Sequence, residues 1–210
     1  MFCREREAFS VGSNFKTRDS MNQIGIMWIE RKTSMAIQIG AKPDSGFDDP
    51  IGMLTDCHRR IERFLGILCS VIQRACGREM TEEEISAVQT ALHYFRQGGE
   101  RHTSDEEESL FPRLRAKFTP AVESIAQLQS EHRHASRLHK SIEHFYMTWI
   151  SVGRLATEDE NQLSSETKQL KEIYTGHIHV EETIVFPYAA QALDAETLAT
   201  IGREFSLRRK

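Results

Sequence analysis

Two histidine–glutamate pairs in the sequence have the spacing of metal ligands on a helix. The first pair is His102 and Glu106 in the stretch HTSDEEESLFP, and the second is His177 and Glu181 in HIHVEETIVFP. Residues four apart project from the same side of a helix, about 6 Å apart along its axis. An imidazole and a carboxylate placed in this way can bind one metal ion, so both stretches predict a metal-binding turn of helix.

The two pairs belong to a longer repeat. They are 75 residues apart, and two further histidines, His58 in HRRIERFL and His132 in HRHASRLH, are 74 residues apart. The chain therefore indicates a weak duplication of one helical hairpin. Each copy supplies one lone histidine and one His-x-x-x-Glu pair.

Helix start and stop signals divide the chain around these residues. Asp49-Pro50 begins a helix that Gly77 ends, and Thr81 with Glu84 forms a capping box at the start of the second helix. Thr119-Pro120 begins the third helix, Gly153 to Thr157 marks the next turn, and Asp194 can cap a short last helix that ends near Phe205. Apolar residues recur every three or four positions, as they do in a helix bundle. On the fourth helix the residues predicted to face inward are Leu163, Leu170, Tyr174, His177, Glu181, Ile184 and Tyr188.

The turns fall where they would bring the four histidines to one level. Residues at the same height in antiparallel neighbouring helices are equidistant from the turn that joins them. The midpoints of His58 and His102, of His102 and His132, and of His132 and His177 all fall at predicted turns. We therefore predict an all-α, up-down-up-down four-helix bundle over residues 48–190, with Glu106 and Glu181 within a turn of the histidine layer. Residues 1–47 are predicted to be an irregular N-terminal extension, and residues 191–210 a short C-terminal helix with a basic tail.

The composition argues against several functional classes. Of 210 residues 39% are hydrophobic and 28% charged, and the formal net charge of −4 gives no reason to expect nucleic acid as a partner. No apolar run approaches the ~20 residues of a membrane span, and the N-terminus has no signal-peptide core. The four cysteines form no C-x-x-C pair and fit reduced thiols. We therefore expect a cytoplasmic protein without a membrane or nucleic-acid partner, and the sequence does not identify a protein partner.

Burial of this histidine layer predicts a pair of metal ions. Each buried polar group that lacks a partner costs on the order of 1 to 3 kcal/mol. If Glu106 and Glu181 each bridge two divalent metals, and each metal takes two histidines, every metal has four protein bonds. Octahedral iron or manganese then keeps two positions for a small ligand. The mixed nitrogen and oxygen donors suit iron, manganese or zinc.

The duplicated His-x-x-x-Glu-Glu followed by Phe-Pro, together with DCHRRIERFL and SEHRHASRLH, resembles the hemerythrin-like, or HHE cation-binding, domain over about residues 48–190. The resemblance implies a four-helix bundle with a non-haem di-iron centre, which binds dioxygen in the carriers of the family and serves oxygen, iron or nitric-oxide related roles elsewhere. Carried over residue by residue, it implies the following ligands: His58, His102, Glu106, His132, His177 and Glu181.

One departure from the family pattern bears on function. The oxygen carriers have a second histidine one turn after the third-helix histidine, and that position is Ser136 here. The site therefore more resembles the six-ligand sensing and iron-handling branches than a reversible oxygen carrier. The chain also lacks the N-terminal cysteine pair of the iron–sulfur repair branch.

The other residues near the motifs are not predicted to be metal ligands. Glu107 and Glu182 turn about 100° away from the preceding ligands, and we expect them on a solvated face, with hydrogen bonds to histidine N–H groups as the alternative. Phe111 and Phe186 are expected to pack, and Leu110 and Val185 to wall the site. The basic run Arg208-Arg209-Lys210 is expected to be a solvated end. Five histidines are predicted to be surface or packing residues: His93, His134, His139, His144 and His179.

The leading interpretation is a non-enzymatic protein that binds two iron ions, with manganese or zinc also compatible. Such a protein binds or senses dioxygen, nitric oxide or peroxide, or it handles iron. Whether it is an enzyme stays open, because a di-metal oxidase or peroxidase is the alternative. A metal-free helical interaction module, whose histidines only pack, is a further alternative.

Overall fold

The computed structural model describes residues 44–117 and 119–210, which form five helices. Helix α1 is Pro50–Ala75, α2 covers residues 82–115, α3 is Thr119–Val152, α4 covers residues 157–192, and α5 is Ala195–Leu207. The predicted extension over residues 1–47 lies outside the described residues, except for residues 44–47.

The predicted end signals of the first helices are confirmed. The Asp49 side chain accepts a hydrogen bond from the Gly52 N–H at 2.9 Å and caps α1, with Pro50 as its first residue. The last turn closes through Cys76 and Gly77, whose φ angles are 45° and 69°, and glycine favours this left-handed conformation. At the start of α2, Thr81 and Glu84 form the reciprocal capping box.

Helices α1 to α4 pack as a closed ring. Helix α1 contacts α2 and α4, and α3 contacts the same two helices. Short connections alternate the direction of successive helices, so the predicted four-helix bundle is confirmed. Within residues 44–117 and 119–210 there is no strand. No helix in these ranges is both long enough and apolar enough to cross a bilayer.

Helices α2 and α4 contain π-helical segments at matching places. Asp105–Leu110 in α2 and Glu181–Val185 in α4 are π-helical, and α2 has another such segment at Phe95–Gly99. In both motifs a phenylalanine N–H binds the carbonyl of the glutamate five residues earlier, Phe111 to Glu106 and Phe186 to Glu181. A π-helical turn holds one more residue than an α-helical turn.

The extra residue shifts the inward-facing side of α4. Val185 is buried, whereas Ile184 is 55% exposed. The prediction that Ile184 faces inward is therefore wrong, because an uninterrupted α-helical period was assumed across the π-helical turn.

The apolar interior consists of two clusters. The first includes Ile61, Leu92, Ile142 and Leu170, and the second includes Leu54, Leu110, Leu128, Val185 and Phe205. Along α1 the change from one cluster to the other occurs between Leu54 and Ile61, and along α3 between Leu128 and Ala135. The histidines His58 and His132 lie within these intervals, so a polar layer separates the two clusters.

Helix α5 completes the second cluster and contacts α1 and the Asp105–Leu110 segment of α2. Its Ile201 and Phe205 are fully buried. The side chains of Arg208 and Arg209, directly after it, are only 20% and 22% exposed and both pair with Asp105. The prediction of a solvated basic end is therefore wrong for these two residues.

Candidate metal centre

The structure brings together all six side chains that the sequence singled out. His58 comes from α1, His102 and Glu106 from α2, His132 from α3, and His177 and Glu181 from α4. Each is buried, and both glutamates are inaccessible to solvent. Four helices thus place four imidazoles and two carboxylates in the layer between the two apolar clusters.

The six side chains form two groups that share their carboxylates. His58 and His102 belong to one group, His132 and His177 to the other, and Glu106 and Glu181 to both. Within each group, the potential ligand atoms lie within 4.8 Å of one another. This separation lets one cation contact every member of a group.

Each glutamate faces one histidine of each group. Glu181 Oε2 lies 3.1 Å from His58 Nε2 and 3.3 Å from His177 Nε2. Glu106 directs Oε1 to His102 Nε2 at 3.2 Å and Oε2 to His132 Nε2 at 3.3 Å. The two carboxylates are therefore in position to bridge two cations.

The polar atoms at the centre of this layer lack hydrogen-bond partners. They are Nε2 of His58, both ring nitrogens of His102, and both carboxylate oxygens of Glu106 and of Glu181. Buried polar atoms without partners are rare in native proteins and each costs about 1 to 3 kcal/mol. Coordination of two cations would satisfy all of them except one nitrogen of His102, so the donor set fits the predicted metal pair.

Three carboxylates outside this layer hold the histidine rings in orientation. His58 Nδ1 donates to Glu182 at 2.9 Å, His132 Nδ1 to Glu107 at 2.7 Å, and His177 Nδ1 to Glu131 at 2.9 Å. When Nδ1 carries the proton, Nε2 keeps its lone pair for a metal. Of the two positions weighed for Glu107 and Glu182, the alternative of hydrogen bonds to histidine N–H groups is present, and both side chains are also partly exposed.

Glu131 was missed by the sequence reasoning. Its carboxylate binds a histidine 46 residues later on another helix, and no spacing rule connects the two. The one available signal is its position immediately before His132, which places it near the layer but not on the same face of α3.

Burial and mutual contacts shift the pKa values of the centre in opposite directions. Burial and the neighbouring His58 hold the pKa of His102 well below its usual value, and burial together with Glu181 raises that of Glu106 well above. Burial also acts on Glu181, but its close contacts with the rings of His177 and His58 leave its pKa below the usual range. Burial lowers the pKa of His58 and His177, but the nearby Glu181 carboxylate outweighs this and leaves both raised. The metal-free centre therefore retains protons that a cation must displace.

The Phe-Pro part of each motif supplies an aromatic wall. Phe186 stacks on His58 with ring centroids 5.3 Å apart, and Phe111 stacks on His132 at 6.3 Å. Leu110 and Val185 are buried beside them. The packing predicted for Phe111 and Phe186 is confirmed, and the expectation that Leu110 and Val185 wall the site stays a prediction.

A cavity of about 360 Å³ reaches the centre beside His132. Its lining includes Leu92, Phe95, Ser136, His139 and Tyr174. His139 Nε2 lies 3.0 Å from the Tyr174 hydroxyl. Burial lowers the pKa of His139 to about 4 and raises the pKa of Tyr174, so both groups are neutral near pH 7.

None of the five histidines that were predicted to lie outside the centre belongs to either donor group. His139 packs between Phe95 and Tyr174, as expected for a packing residue. His93, His144 and His179 are exposed, and His134 is partly exposed.

Comparisons with known proteins agree with the residues of the centre. A family model described as the hemerythrin HHE cation binding domain matches residues 49–189. A protein of Haemophilus influenzae, described as an uncharacterized protein, is 28% identical over 169 residues. The aligned part covers 78% of this chain and 92% of that relative, so the two are similar over most of their lengths.

Proposed function

The chain belongs to the hemerythrin HHE cation-binding domain family, and we propose that its centre holds two divalent cations, iron being the expected metal, and binds a small ligand such as dioxygen, nitric oxide or peroxide. The ligands in this proposal are His58 and His102 for one cation, His132 and His177 for the other, and Glu106 and Glu181 for both. The supporting observation is the pair of buried donor groups that share two carboxylates.

The donor count supports a reactive centre rather than a closed structural one. Two histidines and two bridging carboxylates give each cation four protein bonds, whereas octahedral iron or manganese takes six. The remaining positions are available to water, hydroxide or an exogenous ligand, as in catalytic rather than structural metal sites. Nitrogen and oxygen donors are also compatible with manganese and zinc.

The cavity beside His132 offers a path for the small ligand. Ser136 lines this cavity at the position where the oxygen carriers of the family have another histidine. A serine leaves space and one fewer nitrogen donor at this cation. We therefore favour ligand sensing or iron handling over reversible oxygen carriage.

A di-metal oxidase or peroxidase is the second candidate, and the size of the cavity favours it. A volume of about 360 Å³ lies in the range of pockets that bind organic molecules, roughly 300 to 1,000 Å³, and exceeds what a diatomic ligand needs. When bound, the iron pair would supply the redox chemistry. Steady-state consumption of peroxide or oxygen with an oxidisable organic compound would support this candidate.

The proposal is tested by anaerobic purification, metal analysis and absorption spectra before and after exposure to oxygen. We expect two metal ions per chain and a new absorption band when oxygen is admitted to the iron-loaded protein. The His177→Ala variant should lose bound metal, whereas His179→Ala, an exposed histidine on the same helix, should retain it. Well under one metal ion per wild-type chain after iron supplementation would instead support the metal-free interaction module.

A further inference from the structure

A buried carboxylate directly precedes Glu106 and is bound by two arginines that follow α5. Asp105 is inaccessible to solvent. Its Oδ1 accepts from Arg208 Nη1 at 2.9 Å and its Oδ2 from Arg209 Nη2 at 2.6 Å. A buried carboxylate is costly unless it is paired and hydrogen-bonded, so the two guanidinium groups are what allow a charge at this position.

The same segment of α2 makes further contacts with α5. Arg208 Nη2 donates to the Ser109 hydroxyl at 2.8 Å. Arg113 donates to the Ser109 carbonyl at 2.7 Å and forms two hydrogen bonds to Glu204 on α5. These contacts hold both ends of the π-helical segment Asp105–Leu110, within which Glu106 lies.

The second copy of the motif has no counterpart to these contacts. Val180 stands at the position that matches Asp105, and Ile184 at the position that matches Ser109. Neither side chain can accept a hydrogen bond, and Ile184 is mostly exposed. The ion pairs are therefore not required by the His-x-x-x-Glu motif itself, and they distinguish the segment of Glu106 from that of Glu181.

Arg209 is itself fixed by its surroundings. Its guanidinium lies over the rings of Phe47 and Phe205, at 5.9 Å and 5.6 Å from their centroids, and donates to the Phe205 carbonyl at 2.7 Å. A side chain held on several sides loses little further freedom when it binds Asp105. Each arginine thus binds one oxygen of Asp105 while other contacts also hold its guanidinium group.

We propose that Arg208 and Arg209 are positioning residues for Glu106, which act through Asp105 by fixing the π-helical segment so that both oxygens of Glu106 face the two donor groups. Consecutive helical residues point about 100° apart, so Asp105 reaches towards α5 while Glu106 reaches into the centre. This inference rests on the proposed role of Glu106 as a bridging ligand.

The test compares wild type with three double variants. Cobalt titrations measure metal affinity, and backbone hydrogen exchange is measured without metal. In Arg208→Gln/Arg209→Gln we expect cobalt affinity to fall about 10- to 100-fold, the usual effect of losing groups that orient ligands. Amides of residues 105–111 should exchange faster in the metal-free variant. Arg208→Lys/Arg209→Lys keeps both charges and should recover most of the affinity. Arg203→Gln/Lys210→Gln removes the same charge from two exposed positions nearby and should behave as wild type.

A third substitution separates positioning from stability. Asp105→Val, added to Arg208→Gln/Arg209→Gln, copies the residue of the second motif and removes the unpaired charge. We expect the thermal stability of the metal-free protein to recover while the cobalt affinity stays low. Recovery of both would show that the arginines only neutralise Asp105, and would overturn the proposal.

The hydrogen-exchange arm does not depend on metal binding. If wild-type protein binds no cobalt, the proposed metal function fails, and the exchange rates still report whether the arginines hold the segment. Unchanged exchange at residues 105–111 in Arg208→Gln/Arg209→Gln would overturn the present inference by itself.

Discussion

Glu182 accepts a hydrogen bond from His58 Nδ1 at 2.9 Å and so joins the second half of the repeat to the first. The reciprocal contact, from His132 to Glu107, joins the first half to the second at 2.7 Å. The lone histidine of each copy is therefore oriented by the glutamate that follows the His-x-x-x-Glu pair of the other copy. The centre therefore takes its donor side chains, and the contacts that orient them, from both copies.

Removal of one of these outer carboxylates should weaken metal binding without unfolding the protein. In Glu182→Ala, His58 loses the acceptor that fixes its proton on Nδ1, and we expect metal affinity to fall about 10- to 100-fold. Glu182 is partly exposed, so the fold should tolerate the change. Calorimetric titration with zinc measures the affinity. Glu172→Ala on the same helix, whose carboxylate is largely exposed, is the control, and equal affinities for the two variants would contradict the assigned role.

Metal should stabilise the protein more strongly as the pH rises. Burial lowers the pKa of His58 and His177, but contact with Glu181 leaves both raised above 6.5, and burial with Glu181 raises that of Glu106. A group whose pKa is raised in the folded protein binds its proton more tightly there than in the unfolded chain, so the metal-free fold loses stability as pH rises from the unfolded to the folded pKa.

We therefore expect the Tm of the metal-free protein to decrease above about pH 6.5. The Tm increase on adding metal should grow over the same range, because fewer protons then compete with the cation. Scanning calorimetry with and without metal at several pH values measures both. A metal-induced increase that is the same at every pH would count against proton displacement at this centre.

Filling the cavity beside His132 should slow ligand access without removing the metal. Ser136 lines the cavity and its side chain is exposed, so Ser136→Phe can place a ring there without disturbing the buried layer. We expect unchanged metal content and slower binding of azide or oxygen in stopped-flow measurements. Ser130→Phe, an exposed serine on the same helix, should not change the rate. A rate in Ser136→Phe equal to that of wild type would indicate another route to the metals.

Two glycines should respond in opposite ways to the same substitution. A Cβ on Gly202 would lie 1.8 Å from the Phe47 carbonyl oxygen, so Gly202→Ala should displace residue 47 from α5 and cost about 1 to 3 kcal/mol. A Cβ on Gly66, within α1, meets nothing within 4 Å, and Gly66→Ala should stabilise the protein by about 0.5 to 1 kcal/mol. Denaturant unfolding of the two variants measures the difference. Similar free energies of unfolding would contradict the close approach at Gly202.

The convergence of the six donor side chains could be predicted from the sequence because their spacing is local and repeated. His102 and Glu106, like His177 and Glu181, share one helical face, and the turn signals set the heights of the four histidines. The bundle and the convergence of the six side chains follow from these two facts. The ligand role itself stays a prediction until metal is measured.

What the sequence did not predict depends on contacts between distant parts of the chain or on irregular backbone. Ile184 was placed inward because it and the next residue, Val185, are both apolar, so the sequence does not show the one-residue shift that the π-helical turn causes. Glu131 was missed because its partner is on another helix, and Asp105 because its two arginines are about 100 residues later. The burial of Asp105 can be recognised only in the folded structure, where Arg208 and Arg209 pair with it.

The polar layer also affects how the bundle should lose its structure. Because this layer divides the apolar interior, the two clusters lie on opposite sides of it. Few apolar contacts therefore couple the unfolding of one cluster to that of the other. Cations bound across all four helices would couple them. The loaded protein should then unfold in one cooperative transition at a higher temperature than the protein stripped of its ions, in which only the shared helices join the two halves of the interior.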